Sequence, residues 1–406
     1  MVDVWRRMAV LAAAVGTLGA TPAMAQQTGL KIGALMSLTG PLQAYGESCL
    51  NGARLAADEI NAAGGVLGGK LSLAVGDTQT SPQPGVDAAQ KLVSVEGVSG
   101  MVGALSSGVT IPVASTVSGR AGIPQISPAS TSPVITNLND NDFLFRTVPS
   151  DAFQGVAMAQ IAQEKGAKTV GVVYVNNDYG QGLAEAFSDA FEKAGGKVAA
   201  SVAYEEKQAS YRGELQRAAQ GRPDTLVLIA YPGDGIPILR QSLEGGFFTK
   251  FLFSDGMKAP EIISAIGAKY LDGSAGTAPE ALPDFPASKT FAQAYRAKFG
   301  ELPPKPYIDA SYDAVYLIAL AAEKAKSSGG KAIRDALRDV ANAPGEKVGP
   351  GDWAKAKQLI ASGKDVDYVG AAGDHSFDKQ GDVRGTFSHW EIKNGEIVTV
   401  KVFEPK

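Results

Sequence analysis

The sequence predicts an α/β protein of two Rossmann-like lobes, each a parallel sheet flanked by helices. Three observations lead there. Short β-rich runs alternate with helical stretches through most of the chain, which implies parallel sheets joined by right-handed crossovers. A unit of strand, Tyr-Gly, helix and Gly-Gly end occurs twice, around Tyr45-Gly46 with Gly64-Gly65 and around Tyr179-Gly180 with Gly195-Gly196. At 406 residues, the chain is also too long for one compact core.

The first element reads as an export signal rather than as part of either lobe. Arg6 and Arg7 precede an uncharged, Ala-rich run from Met8 to Ala20, and Ala23-x-Ala25 supplies a small-residue cleavage site. This assigns residues 1–25 to a signal peptide and the protein to the periplasm. The paired arginines leave a twin-arginine route open beside the general one. The apolar run is too short to span a bilayer. No cysteine follows the cleavage region to carry a lipid. Cys49 is the only cysteine, which excludes an intramolecular disulfide. It reads as a small buried residue on a helix.

Strands are expected at 30–37, 70–77 and 100–105, with helices at 48–62 and 82–95 carrying apolar residues at helical spacing. The alternation resumes with strands at 169–175, 197–204, 224–229 and 250–254. Near-continuous apolar stretches such as 170–175 suit sheets covered on both faces. The tail differs. Helices are expected at 287–299, 309–326 and 331–341, and a hairpin over 386–402 turning at Asn394-Gly395. Long helices followed by a late hairpin suggest that the chain re-enters a lobe already begun.

Composition leaves little room for catalysis. The net charge of −4 and the lack of a basic run argue against nucleic acid and anionic lipid as partners. Two histidines and one cysteine give almost no material for metal clusters or Cys-His pairs. There is no G-x-S-x-G elbow. The run Gly64–Leu71 resembles a phosphate loop, but Leu71 stands where a Ser or Thr is needed and the run precedes a strand. Gly180-Gln181-Gly182 fails as a dinucleotide loop because Glu185 takes the third glycine position. No enzyme and no cofactor are expected.

The remaining polar loops lie at the C-terminal ends of predicted strands, where open parallel sheets bind ligands. Ser106-Ser107 follows 100–105 and leads into a helix; Ser127-Pro128-Ala129-Ser130-Thr131 follows the next strand. Both offer hydroxyls and free backbone N–H groups, enough to hold a carboxylate without a cation. In the second half, Tyr179, Tyr231 and Asp255 each follow a strand. Together they supply apolar walls and one negative charge. A buried zwitterion needs both of its charges paired.

With these residues placed, the chain resembles the branched-chain amino-acid-binding proteins, type I periplasmic components of ATP-driven importers. The likeness runs from about Lys31 to Val400. It is carried by Gly40-Pro41-x3-Tyr45-Gly46 with Asn51-Gly52-Ala53, by Ile126-Ser127-Pro128-Ala129-x-Thr131, by Asp178-Tyr179-Gly180-x-Gly182, and by Phe377-Asp378-x2-Gly381-Asp382. The resemblance implies that Ser107, the Ala129 backbone and Thr131 hold the α-carboxylate. It gives the ammonium to the Ala129 carbonyl, the Thr131 hydroxyl and Asp255, where many relatives have Glu. It makes Tyr45, Tyr179 and Tyr231 the side-chain walls, with Ser106 and Ser130 beside them. Thr80 and Ser106 stand where some relatives have a disulfide, and the segment 344–372 has no clear counterpart.

The resemblance further implies a discontinuous architecture, with lobe one from 26–148 plus 279–368 and lobe two from 149–278 plus 369–406. Three hinge crossings would fall near Pro149, Ala278 and Val369. The implied partners are a small solute, an amino acid first, and the membrane permease of an importer, the chain itself being a monomer. Family members also bind amides, urea and aromatic acids, so a non-amino-acid solute is the alternative. Asp255 is expected to discriminate, since without an amine it would be a buried unpaired carboxylate.

Overall fold

The chain is described here from a computed structural model covering residues 29–406; the export signal expected at residues 1–25 lies outside the described residues. The predicted alternation builds two parallel sheets. The first holds β1 (Lys31–Met36), β2 (Ser72–Asp77), β3 (Gly100–Gly103), β4 (Gln125–Ser127) and β5 (Leu144–Arg146), in the order β2-β1-β3-β4-β5. The chain then starts a second sheet with β6 (Thr169–Val175), β7 (Lys197–Tyr204), β8 (Thr225–Ile229), β9 (Phe251–Phe253) and β10 (Ala275–Pro279). It returns for helices Pro286–Phe299, Ile308–Ala325 and Gly330–Ala341, then a small sheet of β11 (Glu346–Val348), β12 (Val366–Gly370) and β13 (Gly373–Asp374). A final hairpin, β14 (Phe387–Lys393) and β15 (Glu396–Phe403), joins the second sheet antiparallel to β10, giving β15-β14-β10-β9-β8-β6-β7.

Sequence pattern explains strand position. The inner strands β3 and β8 are buried at every residue, whereas the edge strand β2 is not buried at any. Continuous apolar runs therefore fill the middle of each sheet and tolerant ones the rim. The hairpin turns at Asn394 (φ 53°) and Gly395 (φ 83°), the left-handed pair that a tight two-residue turn needs.

The repeated Tyr-Gly has a packing reason. A Cβ on Gly46 would lie 2.1 Å from the Ser37 carbonyl oxygen, and one on Gly180 would lie 2.0 Å from that of Val175. In each lobe the missing side chain lets a helix start hard against the end of the preceding strand. The first of these helices therefore begins at Gln43, earlier than the expected 48, and carries Tyr45 in its first turn.

The segment 344–372, which had no counterpart, is a packed unit. Trp353 is buried, donates from Nε1 to the Gly65 carbonyl at 3.0 Å and meets Tyr316 edge-on at 5.7 Å. The run that resembled a phosphate loop thus ends a helix and caps this unit. A different stretch fastens the passage back to the second sheet. Arg146, fully buried at the end of β5, grips Asp382 with Nε–Oδ1 and Nη2–Oδ2 both at 2.7 Å. Asp378 Oδ1 accepts the N–H of Gln380 and of Asp382, which folds that loop around the arginine.

Candidate functional site

Strand ends that face the opposite lobe deliver the polar groups. Ser107 opens the helix Ser107–Val113 shortly after β3, and Ala129 sits in the loop after β4. From the other lobe come Tyr179, at the start of the helix Asp178–Lys193, Tyr231 just after β8, and Asp255 after β9. All five line one narrow interlobe cavity, together with the apolar side chains of Leu42 and Leu105. Five of the nine predicted residues are therefore brought to one place.

The other four lie just outside that lining. Tyr45 donates its hydroxyl to the carbonyls of Gly256 (2.9 Å) and Asp255 (3.2 Å), joining the two lobes beside the cavity. Ser106 meets the Tyr231 hydroxyl at 3.0 Å, a second bond between lobes. Ser130 is turned inward, its hydroxyl shared among Thr110 Oγ1 (2.7 Å) and the carbonyls of Ala104 and Leu105. Thr131 donates to Asp151 Oδ2 at 2.8 Å, while its carbonyl accepts the Asp151 N–H at 2.7 Å.

Three site residues went unread in the sequence: Asp151, Gln154 and Tyr307. Asp151 looks like an ordinary acidic first-turn residue after the Ser150 cap, and Gln154 follows one turn later in the same helix. Tyr307 follows Pro303, Pro304 and Pro306, which reads only as a helix boundary. Nothing local announces that it also lines the cavity.

These three change the electrostatics. Asp255 Oδ1 accepts from the Tyr179 hydroxyl at 2.7 Å and from Gln154 Nε2 at 2.9 Å, and Oδ2 accepts from the Tyr307 hydroxyl. Burial pushes the Asp255 carboxyl above its ordinary range, and these donors work against the rise. Burial, and then the charge of Asp255, hold the phenols of Tyr45, Tyr179 and Tyr307 well above theirs, so all three are neutral donors. Asp255 is consequently not the unpaired carboxylate expected of it. At this site the buried acceptors without a partner are Asp151 Oδ1 and Gln154 Oε1. Burial, then the nearby Asp255, raise the Asp151 carboxyl.

Two parallel sheets, strand-end loops converging on one cavity and bonds closing one lobe onto the other define a two-lobed solute-binding protein. A family model described as periplasmic binding protein matches residues 29–364. The chain belongs to that family, which is one of binding proteins and not of enzymes. The leucine-, isoleucine-, valine-, threonine- and alanine-binding protein of Pseudomonas aeruginosa is 31% identical over 335 residues, covering 82% of this chain and 88% of that one. Among solved structures, the leucine-binding protein LivK of Thermotoga maritima aligns with a TM-score of 0.78 at 26% identity, covering 93% of this chain and 99% of that one. LivJ of Streptococcus pneumoniae in complex with isoleucine aligns at 0.77 and 26% identity, covering 93% and 100%.

Proposed function

We propose that this protein captures a free α-amino acid between its lobes and delivers it to the permease of an ATP-driven importer. It reaches the periplasm through a cleaved signal at residues 1–25 and works as a monomer. The observation that carries the ligand class is the buried, unpartnered Asp151 Oδ1, on a carboxylate that bonds Thr131, two residues from the cavity-lining Ala129, and that feels the charge of Asp255. A carboxylate oxygen left without a donor in a dry site costs about 1–3 kcal/mol, and an ammonium removes that cost. Ser107, which lines the cavity, accepts the Ser132 N–H on its Oγ at 3.2 Å, so its own proton is available to a carboxylate. Leu42 and Leu105 suit an aliphatic side chain, in keeping with what the named relatives bind.

A thermal-shift screen followed by calorimetry tests this reading. Leucine, isoleucine, valine, alanine and threonine are set against benzoate, acetamide and urea. One or more amino acids should raise the melting temperature by mass action. Stabilisation by the amine-free solutes alone would overturn the amino-acid assignment in favour of the alternative solute class.

A further inference from the structure

Beside the solute cavity, Gln154 carries a buried acceptor that nothing bonds. The residue is fully buried and follows Asp151 by one turn on the helix Asp151–Glu164, so the two side chains share a face. Its Nε2 donates to Asp255 Oδ1 at 2.9 Å and to Thr277 Oγ1 at 3.2 Å. The Asp255 carboxylate, which already takes the Tyr179 and Tyr307 hydroxyls, can only accept. The amide nitrogen must therefore face it, and the amide cannot turn over. That orientation leaves Oε1 without a donor among the described residues.

Three acceptors are thereby gathered. Asp255 lines the cavity. Gln154 touches that carboxylate through the same amide group that carries Oε1. Asp151 has its Oδ2 bonded to Thr131, its Oδ1 buried without a partner, and it feels the charge of Asp255. Arg146, a cation that acts on Asp151, is itself committed to Asp382. Buried acceptors are rarely left unpaired, and a primary ammonium brings three N–H bonds.

We propose that the solute's ammonium is held by Asp255, Asp151 and Gln154 Oε1 together, and that the site thereby selects primary α-amines over secondary ones. This rests on the amino-acid reading and adds to it the substitution of the nitrogen. The match is one of number, three acceptors for three N–H bonds. A secondary amine, as in proline or an N-methyl amino acid, carries two and puts a carbon where the third belongs. One buried oxygen then stays unpaired, the condition under which a site built to bond a group rejects analogues that lack it. An amide also suits the third position better than an acid would, since it supplies the oxygen without a further like charge beside two carboxylates.

Calorimetry with matched pairs tests this: leucine against N-methylleucine and alanine against N-methylalanine, with proline as a third secondary amine. The primary amine should bind the natural protein about tenfold or more tightly than its N-methyl partner. Gln154→Met keeps the length of the side chain and removes the amide. Both members of a pair lose the support that Nε2 gives Asp255, but only the primary amine loses a bond to Oε1. The ratio between them should therefore shrink about threefold or more. A ratio near one in the natural protein overturns the proposal, and this measurement decides even where the variant fails to fold. An unchanged ratio in a folded variant overturns it too, and leaves Gln154 only the task of holding Asp255. Absence of binding by every amino acid would instead overturn the amino-acid reading, and the selection with it.

Discussion

At the scale of single residues, the site turns on which carboxylate needs a donor. Asp255 already has three, from Tyr179, Gln154 and Tyr307, whereas Asp151 spends one oxygen on Thr131 and leaves the other free. Asp151→Asn preserves shape and removes the charge, so affinity for an amino acid should fall about tenfold or more by calorimetry. Unchanged affinity would remove Asp151 from the ammonium's partners. Tyr307→Phe acts on the other acid. It removes a hydrogen bond that favours ionised Asp255, so that carboxyl rises further. Protonated Asp255 cannot pair with an ammonium. Binding by the variant should therefore be lost at a higher pH than in the natural protein as pH is lowered from neutrality, and coincident pH profiles would refute the link.

At the scale of elements, packing imposes its own requirements. Gly180 lets its helix start against the Val175 carbonyl, with a Cβ position only 2.0 Å from that oxygen. Gly180→Ala forces strand and helix apart and should cost about 1–3 kcal/mol in urea unfolding. A cost within error would mean the helix end can shift freely. How much could be read beforehand follows the same division. Strands such as Thr169–Val175 and Lys197–Tyr204 were legible to the residue, because continuous apolar runs between turn signals are local information. The loops bearing Ser107, Ala129, Tyr179, Tyr231 and Asp255 were legible because strand ends are. Tyr307 and Asp151 were not, since their roles depend on partners 52 and 20 residues away and on no motif. The unit around Trp353 was illegible for the same reason: its contact with Gly65 spans 288 residues.

At the scale of the molecule, solute capture is a question of what holds the lobes together. Besides the Tyr45 and Ser106 bonds, Gly233 N–H donates to the Pro41 carbonyl at 2.9 Å and Ser132 Oγ to the Asp178 carbonyl at 2.9 Å. These contacts join lobe to lobe directly. Tyr45 is the clearest of them, because its hydroxyl spends itself on the Gly256 backbone and its ring lies outside the cavity lining. A group that bonds only in the closed form stabilises that form and slows its opening, with little effect on encounter with the solute. Tyr45→Phe should therefore raise the dissociation rate about three- to tenfold, as expected for the loss of about 1 kcal/mol. The association rate and the order of preference among amino acids should hold. Stopped-flow kinetics with two solutes decides between the roles. An altered order of preference would make Tyr45 a wall of the pocket, as the family resemblance implied, and an unchanged order with faster release makes it a latch.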